Sequence, residues 1–217
     1  QPEMTAENFN KKASFLSRLG SGSASRSIEG PLVVWGAHDG IGNSSQLFGT
    51  AYPHEVHAVF DSYQDTILLV DKGEKQVSST VGHGLMEGHA FAKARFTQAH
   101  ENLQAMESIF KTGDLDAFIA LVESEALTLH AMMMTSHPYF ILMKPNTLEI
   151  INKIWAFRKE TGSKVCFTLD AGANVHVLYP AKEKEVVLDF IKNELAMHCK
   201  NGEFIVDHLG KGAKKLA

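Results

Sequence analysis

Five residues, Asp170-Ala-Gly-Ala-Asn174, separate two apolar runs, Lys164–Leu169 and Val175–Tyr179. Both runs carry β-branched and aromatic residues and read as strands, and so short a link joins them as a hairpin with its turn at a sheet end. Upstream the period changes. Phe91, Ala94, Ala99, Leu103, Met106 and Phe110 recur at helical spacing, and Thr112-Gly113 is a stop signal. Asp114 is placed to cap a second helix through Phe118, Leu121 and Leu129, and a third fits Thr147 to Glu160 before Gly162. A strand over Thr66–Asp71, a helix over Lys182–His198 and a last strand over Glu203–Val206 complete an α/β order from residue 61 onward.

Residues 1–60 make a weaker case as a domain. Glu7–Leu19 reads as a helix with Phe9, Phe15, Leu16 and Leu19 facing inward, and Pro31–Trp35 as a buried strand or helix. Gly36–Pro53, with four glycines, reads as a loop, and the alternation in Glu55–Phe60 predicts a strand. The expected division is therefore 1–60 and 61–217.

Composition removes several classes of function. Hydrophobic residues are 44% and charged residues 21%, as in a globular domain. No unbroken apolar run approaches the roughly 18 residues of a membrane span, and Gln1–Lys12 has no apolar core like that of a signal peptide. A net charge of −4 takes away the usual support for a nucleic-acid partner, and eleven histidines make that charge pH-sensitive. With only Cys166 and Cys199 there is no disulfide framework, which points to a reducing, cytoplasmic compartment.

Chemistry concentrates in a few segments. In Gly20-Ser-Gly-Ser-Ala-Ser-Arg-Ser27, Gly20 and Gly22 permit close backbone approach, Ser21, Ser23, Ser25 and Ser27 offer hydroxyls, and Arg26 offers a fork matched to carboxylate or phosphate. The third glycine of a dinucleotide fingerprint and the Gly-Lys-Ser of a Walker A loop are both missing. A flexible Gly/Ser linker is the competing reading, opposed by the apolar segments close on either side. Asp170 lies in a tight turn between strands, which suits a partly desolvated, rigidly aimed base or electrostatic stabiliser, although Asp and Asn also serve simply to satisfy turn backbone. Gln76–Gly82 could present hydroxyls to an anion. His54 with His57, and His83 with His89, lack zinc-site spacing, and Met132–Met134 reads as packing.

Taken in order, Lys11–Ser27, Val77-Ser-Ser-Thr-Val-Gly82 and Phe167-Thr-Leu-Asp-Ala-Gly-Ala-Asn174 resemble the diphosphomevalonate decarboxylases, relatives of galactokinase, homoserine kinase, mevalonate kinase and phosphomevalonate kinase. The resemblance covers nearly the whole chain. It implies the end of a ribosomal-protein-S5-like N-terminal domain followed by a ferredoxin-like C-terminal domain with extra helices. It also implies conversion of mevalonate 5-diphosphate and ATP, with Mg2+, to isopentenyl diphosphate, ADP, phosphate and carbon dioxide.

By this resemblance Asp170 acts on the tertiary 3-hydroxyl, and Arg26 holds the carboxylate that leaves as carbon dioxide. Ser21 and Ser23 bind substrate and nearby phosphates, Ser79 lies near substrate, and Asn174 braces the Asp170 turn. Three positions depart from the family pattern: Ser25 stands where Cys is usual, Ala173 where Pro is usual, and Thr80 where some bacterial relatives carry Arg. The lysine-bearing strand and phosphate loop that grip ATP in the family have no counterpart here. With Gln1 in first place, the chain is expected to be a C-terminal portion of a homodimeric enzyme or to work beside a separate N-terminal chain. A mevalonate-type kinase and a non-catalytic fragment are the alternatives.

Overall fold

The computed structural model describes residues 4–73 and 84–214, which divide into two compact units. The smaller unit spans 1–55 with 209–217; the larger spans 56–208. The tail after residue 208 thus groups with the first unit, whereas the sequence reading attached it to the second.

In the smaller unit, helix α1 (Ala6–Gly20) starts at Thr5, whose side chain accepts Asn8 N–H at 3.2 Å. It runs directly into a 3-10 turn, Gly22–Ser27, and strands β1 (Val33–Val34) and β2 (Thr50–Ala51) pair antiparallel beside it. β2 lies inside the segment read as a loop. α1 also corrects an expectation, because Phe9, Leu16 and Leu19 are exposed and the helix buries Ser14 instead. Ser14 Oγ donates to Ser25 O at 2.7 Å and accepts Gly49 N–H at 2.9 Å. These two bonds turn the small-residue face inward, and the apolar face is left outside.

The larger unit holds a four-stranded antiparallel sheet in the order β4 (Cys166–Leu169), β5 (Val175–Tyr179), β3 (Gln64–Leu68), β6 (Phe204–His208). β4 and β5 form the expected hairpin, closed by the pair Leu169 and Val175. One sheet face sends Leu68, Phe167, Val175, Val177 and Tyr179 into a core shared with helix α4 (Pro145–Thr161) and the helical segment after residue 180. Phe157 stacks on Phe190 with centroids 4.1 Å apart. A second cluster, with Phe60, Tyr63, Ile109, Phe118 and Cys166, lies under helices α2 (Ala92–Thr112) and α3 (Leu115–Thr135).

Local signals set the helix ends. Asp114 accepts Ala117 N–H at 3.0 Å, and both Gly113 and Gly162 adopt φ +73° just past a helix. At Gly113 a Cβ would also lie 2.5 Å from the His57 ring, so this position excludes side chains twice over. Two expectations fail. Glu55–Phe60 is not a strand: Ala58–Phe60 forms a 3-10 turn that inserts Phe60 among Phe110, Phe118 and Tyr63. The helix over 182–198 is broken into a 3-10 turn, helix α5 (Lys184–Phe190), a π turn (Ile191–Leu195) and a further 3-10 turn. The π turn seats Ile191 and Leu195 in the core, each without exposed surface.

Among the described residues one helix, α3, is long and apolar enough by length and composition to cross a membrane, although its sequence is interrupted by charge. Here it packs on β4, burying Phe118, Ile119 and Ala126. Its Glu123 is clamped by Arg158, at 2.6 and 3.0 Å, and by Trp155 Nε1–H at 2.9 Å. Met132 and Met133 are buried and Met134 is exposed.

Candidate active site

The Gly20–Ser27 corner is built by close packing of small residues. Ser21 closes α1, its N–H bonding Ser17 O at 3.0 Å. A Cβ on Gly22 would meet the Trp35 indole at 2.8 Å, and one on Gly49 would meet Val33 at 2.7 Å and Ser25 O at 2.9 Å. The backbone approach that the glycine allows is therefore an approach to the protein's own Trp35. Ser25 is also committed internally, its Oγ donating to Gly22 O at 2.8 Å.

What remains outward is Ser21, Ser23, Arg26 and Ser27. Ser21 Oγ and Ser23 Oγ lie 3.4 Å apart. Ser23, Arg26 and Ser27 line an open hollow of about 570 Å³, completed by residues 31–33. Among the described residues Arg26 has no ion-pair partner, which leaves its guanidinium available to an anion.

In the larger unit, the turn between β4 and β5 presents Asp170 at the sheet end. Asp170 is exposed in this chain, where the sequence predicts partial desolvation. Its carbonyl accepts Gly172 N–H at 2.7 Å and His130 Nε2–H at 3.2 Å. Asn174 Oδ1 accepts Asp71 N–H at 2.9 Å, tying the turn to the end of β3. Ser79, together with Thr80 and His83, lies outside the described residues. His54 Nε2 lies 3.3 Å from Gly40 O, and His57 Nδ1 accepts Val59 N–H at 3.1 Å, so each has a structural contact.

Two histidines near Asp170 escaped the sequence reading. Burial in α3 lowers the His130 pKa, opposed in part by its bond to Asp170 and by the Asp170 charge. His176, on β5, contacts Asp65 Oδ2 at 2.9 Å and Oδ1 at 3.2 Å. The Asp65 hydrogen bond raises the His176 pKa against partial burial, and the charges of Asp65 and Asp170 add to that rise. Nothing local marks either residue. His130 sits forty positions from the carbonyl it binds, and His176 lies 111 from Asp65. The strand alternation at 175–179 was the one available signal, since it separates His176 from the core face.

An exposed carboxylate at the sheet end can accept a proton from a hydroxyl placed beside it. An unpaired guanidinium on a serine-lined hollow can hold a carboxylate or phosphate. Among the described residues no group of three or more His, Cys, Asp or Glu is arranged to hold a metal ion.

Residues 66–214 match the profile described as Mevalonate 5-diphosphate decarboxylase C-terminal domain, and they include His130, Asp170 and Asn174. The chain is 28% identical over 180 residues to the diphosphomevalonate decarboxylase mvd1 of Aspergillus fumigatus, covering 82% of this chain and 44% of that protein. Among solved structures it resembles the mevalonate diphosphate decarboxylase of Staphylococcus aureus, with TM-score 0.77, 27% identity, and coverage of 94% of this chain and 59% of that one. It also resembles MDDEF in complex with MVAPP, AMPPCP and magnesium, with TM-score 0.77, 26% identity, and coverage of 93% and 59%. The chain thus spans less than half of the matched curated relative and about three fifths of the solved ones. With more than half of its residues under that profile, the chain belongs to the mevalonate 5-diphosphate decarboxylase family.

Proposed function

We propose that the protein built from this chain catalyses ATP-dependent decarboxylation of mevalonate 5-diphosphate. ATP phosphorylates the tertiary 3-hydroxyl as Asp170 takes up or orients its proton. The new phosphate then departs with its C–O electron pair, and the C–C bond to the carboxylate supplies the electrons of the product double bond. Isopentenyl diphosphate, ADP, phosphate and carbon dioxide result, which balances the reaction. Arg26 holds the leaving carboxylate, Ser21 and Ser23 bind substrate and phosphate oxygens, Ser79 lies near substrate, and Asn174 steadies the Asp170 turn. ATP is the co-substrate, with Mg2+ screening its phosphates when bound.

The observation that carries this reading is the family match over 66–214, which contains the Asp170 turn. The complex of a relative with MVAPP, AMPPCP and magnesium supports the substrate pair. The sheet order β4-β5-β3-β6 supports a ferredoxin-like domain whose strands lie between Gln64 and His208; by the resemblance alone, 1–60 would be the end of an S5-like domain and the ferredoxin-like one would run over 61–217. Exposed Phe9, Leu16 and Leu19 on α1 support a further polypeptide, in the same protein or in a separate N-terminal chain, that covers this face. We extend the reading to a cytoplasmic homodimer; two buried, unpaired cysteines fit the reducing compartment.

The test uses the full-length gene product with mevalonate 5-diphosphate and magnesium-ATP. Carbon dioxide and ADP are expected in equal amounts, and Asp170→Asn is expected to lower kcat by at least ~100-fold. A stable phosphorylated product without carbon dioxide, or near-normal turnover by Asp170→Asn, would overturn the reading.

A further inference from the structure

The Asp170 turn is short of stiffness of its own. It is built from Ala171, Gly172 and Ala173 and has no proline, so its backbone has little rigidity of its own, and Asp170 is exposed. Outside contacts grip it at both shoulders. His130, 1% exposed on α3, donates Nε2–H to Asp170 O at 3.2 Å. Thr147, fully buried in the first turn of α4, donates Oγ1–H to Ala173 O at 2.7 Å and accepts Lys144 N–H at 3.1 Å.

A buried imidazole or hydroxyl is tolerated only when its polar atoms are bonded, and each of these directs a donor to a carbonyl of this one turn. Because a carbonyl can only accept, His130 must carry its hydrogen on Nε2.

We propose that His130 and Thr147 are positioning residues that set the direction in which the Asp170 carboxylate leaves the sheet end. They touch no substrate. The proposal rests on the reading that Asp170 meets the reacting hydroxyl. Where that reading holds, the clamp matters through geometry: displacing a reacting group by about 1 Å costs on the order of 100-fold in rate, with little effect on binding.

The test compares isosteres in the full-length gene product. The amide nitrogen of Gln reproduces the place of Nε2, whereas that of Asn reproduces Nδ1. With mevalonate 5-diphosphate and magnesium-ATP, His130→Gln is expected to keep kcat within about 3-fold, and His130→Asn to lose roughly 10- to 100-fold at nearly constant KM. Thr147→Ser and Thr147→Val should divide in the same way. Deuterium exchange of a peptide spanning 169–175 should quicken in His130→Asn and Thr147→Val but not in their conservative partners, a readout that does not depend on turnover. Equal kcat and equal exchange for the Gln and Asn variants, with Asp170→Asn inactive, would overturn the positioning role and leave the functional reading standing. Near-normal turnover by Asp170→Asn would instead remove the functional reading, and the proposal with it.

Discussion

The Arg26 corner and the Asp170 turn are held in opposite ways. In the corner, most of the contacts that shape the backbone come from nearby sequence: Ser25 bonds Gly22 and Ser14 bonds Ser25, with Trp35 laid on Gly22, and only Gly49, whose N–H reaches Ser14, comes from farther along the chain. The turn is shaped from afar, by donors 40, 26 and 103 positions away at His130, Thr147 and Asp71. A corner of the first kind depends on small residues that let elements approach. A turn of the second kind depends on the sheet and helix framework being in place, because, apart from the bond of Gly172 N–H to Asp170 O, these braces come from outside the hairpin. Substitutions in the two regions should therefore fail differently.

The largest effect is expected at the corner's exposed guanidinium. Arg26→Leu should lower kcat/KM of the full-length enzyme by about 1,000-fold, near 4 kcal/mol, as for loss of one partner of a charge pair to a bound anion. Arg26→Lys should recover only part of this, since an ammonium cannot reproduce the fork. Thermal unfolding should stay unchanged in both variants, because Arg26 makes no ion pair among the described residues. A fall in melting temperature would show that the corner is less self-contained than the structure indicates.

Next comes the framework beneath the turn. Arg158→Met leaves the Glu123 carboxylate, 7% exposed, without its cation, and should destabilise the larger unit by about 3 kcal/mol in urea unfolding. Arg158 also donates to Val165 O at 3.0 Å, next to β4, so the hairpin should loosen with it. Adding Glu123→Met should restore much of the loss; failure to do so would mean that packing, not the stranded charge, is the cause. In the smaller unit, Ser14→Ala removes the partner of Gly49 N–H and Ser25 O together and should cost about 2 kcal/mol.

How much of this was legible follows the same divide. Asp114, Gly113 and Gly162 are visible in sequence because capping is a property of a few consecutive residues, and the hairpin is visible because its turn is short. The roles of His130 and Thr147 are not, since Leu129-His-Ala and Asn146-Thr-Leu carry no pattern that names a carbonyl far away in sequence. α1 misled for a related reason. Periodicity locates an apolar face but not what covers it, and here Ser14 decided which side turns inward. At Glu55–Phe60 the alternation is real, yet Phe60 gains more from the aromatic cluster than from a strand pairing.

The smallest effect concerns the pair beside the turn, and it separates the two histidines by sign. The Asp65 hydrogen bond raises the His176 pKa above its ordinary value of about 6.5. Stability from this pair is therefore complete below about pH 6.5 and is lost as pH rises through the raised value. His130 runs the other way: burial lowers its pKa, so its contribution is present above about 6.5 and lost as pH falls through the lowered value. Because His176 and Asp65 are each about one-third exposed, water screens the pair, and about 1 kcal/mol or less is expected. Unfolding free energy measured from pH 5 to 9 should show His176→Gln differing from the parent on the acid side and converging with it on the basic side. His130→Gln, which keeps a donor at the place of Nε2, should match the parent on the basic side and be the more stable on the acid side, where protonating the buried imidazole disfavours the parent. Parallel profiles for the two variants would mean that the imidazoles flanking Asp170 share one environment, and that the clamp and the ion pair are not separate devices.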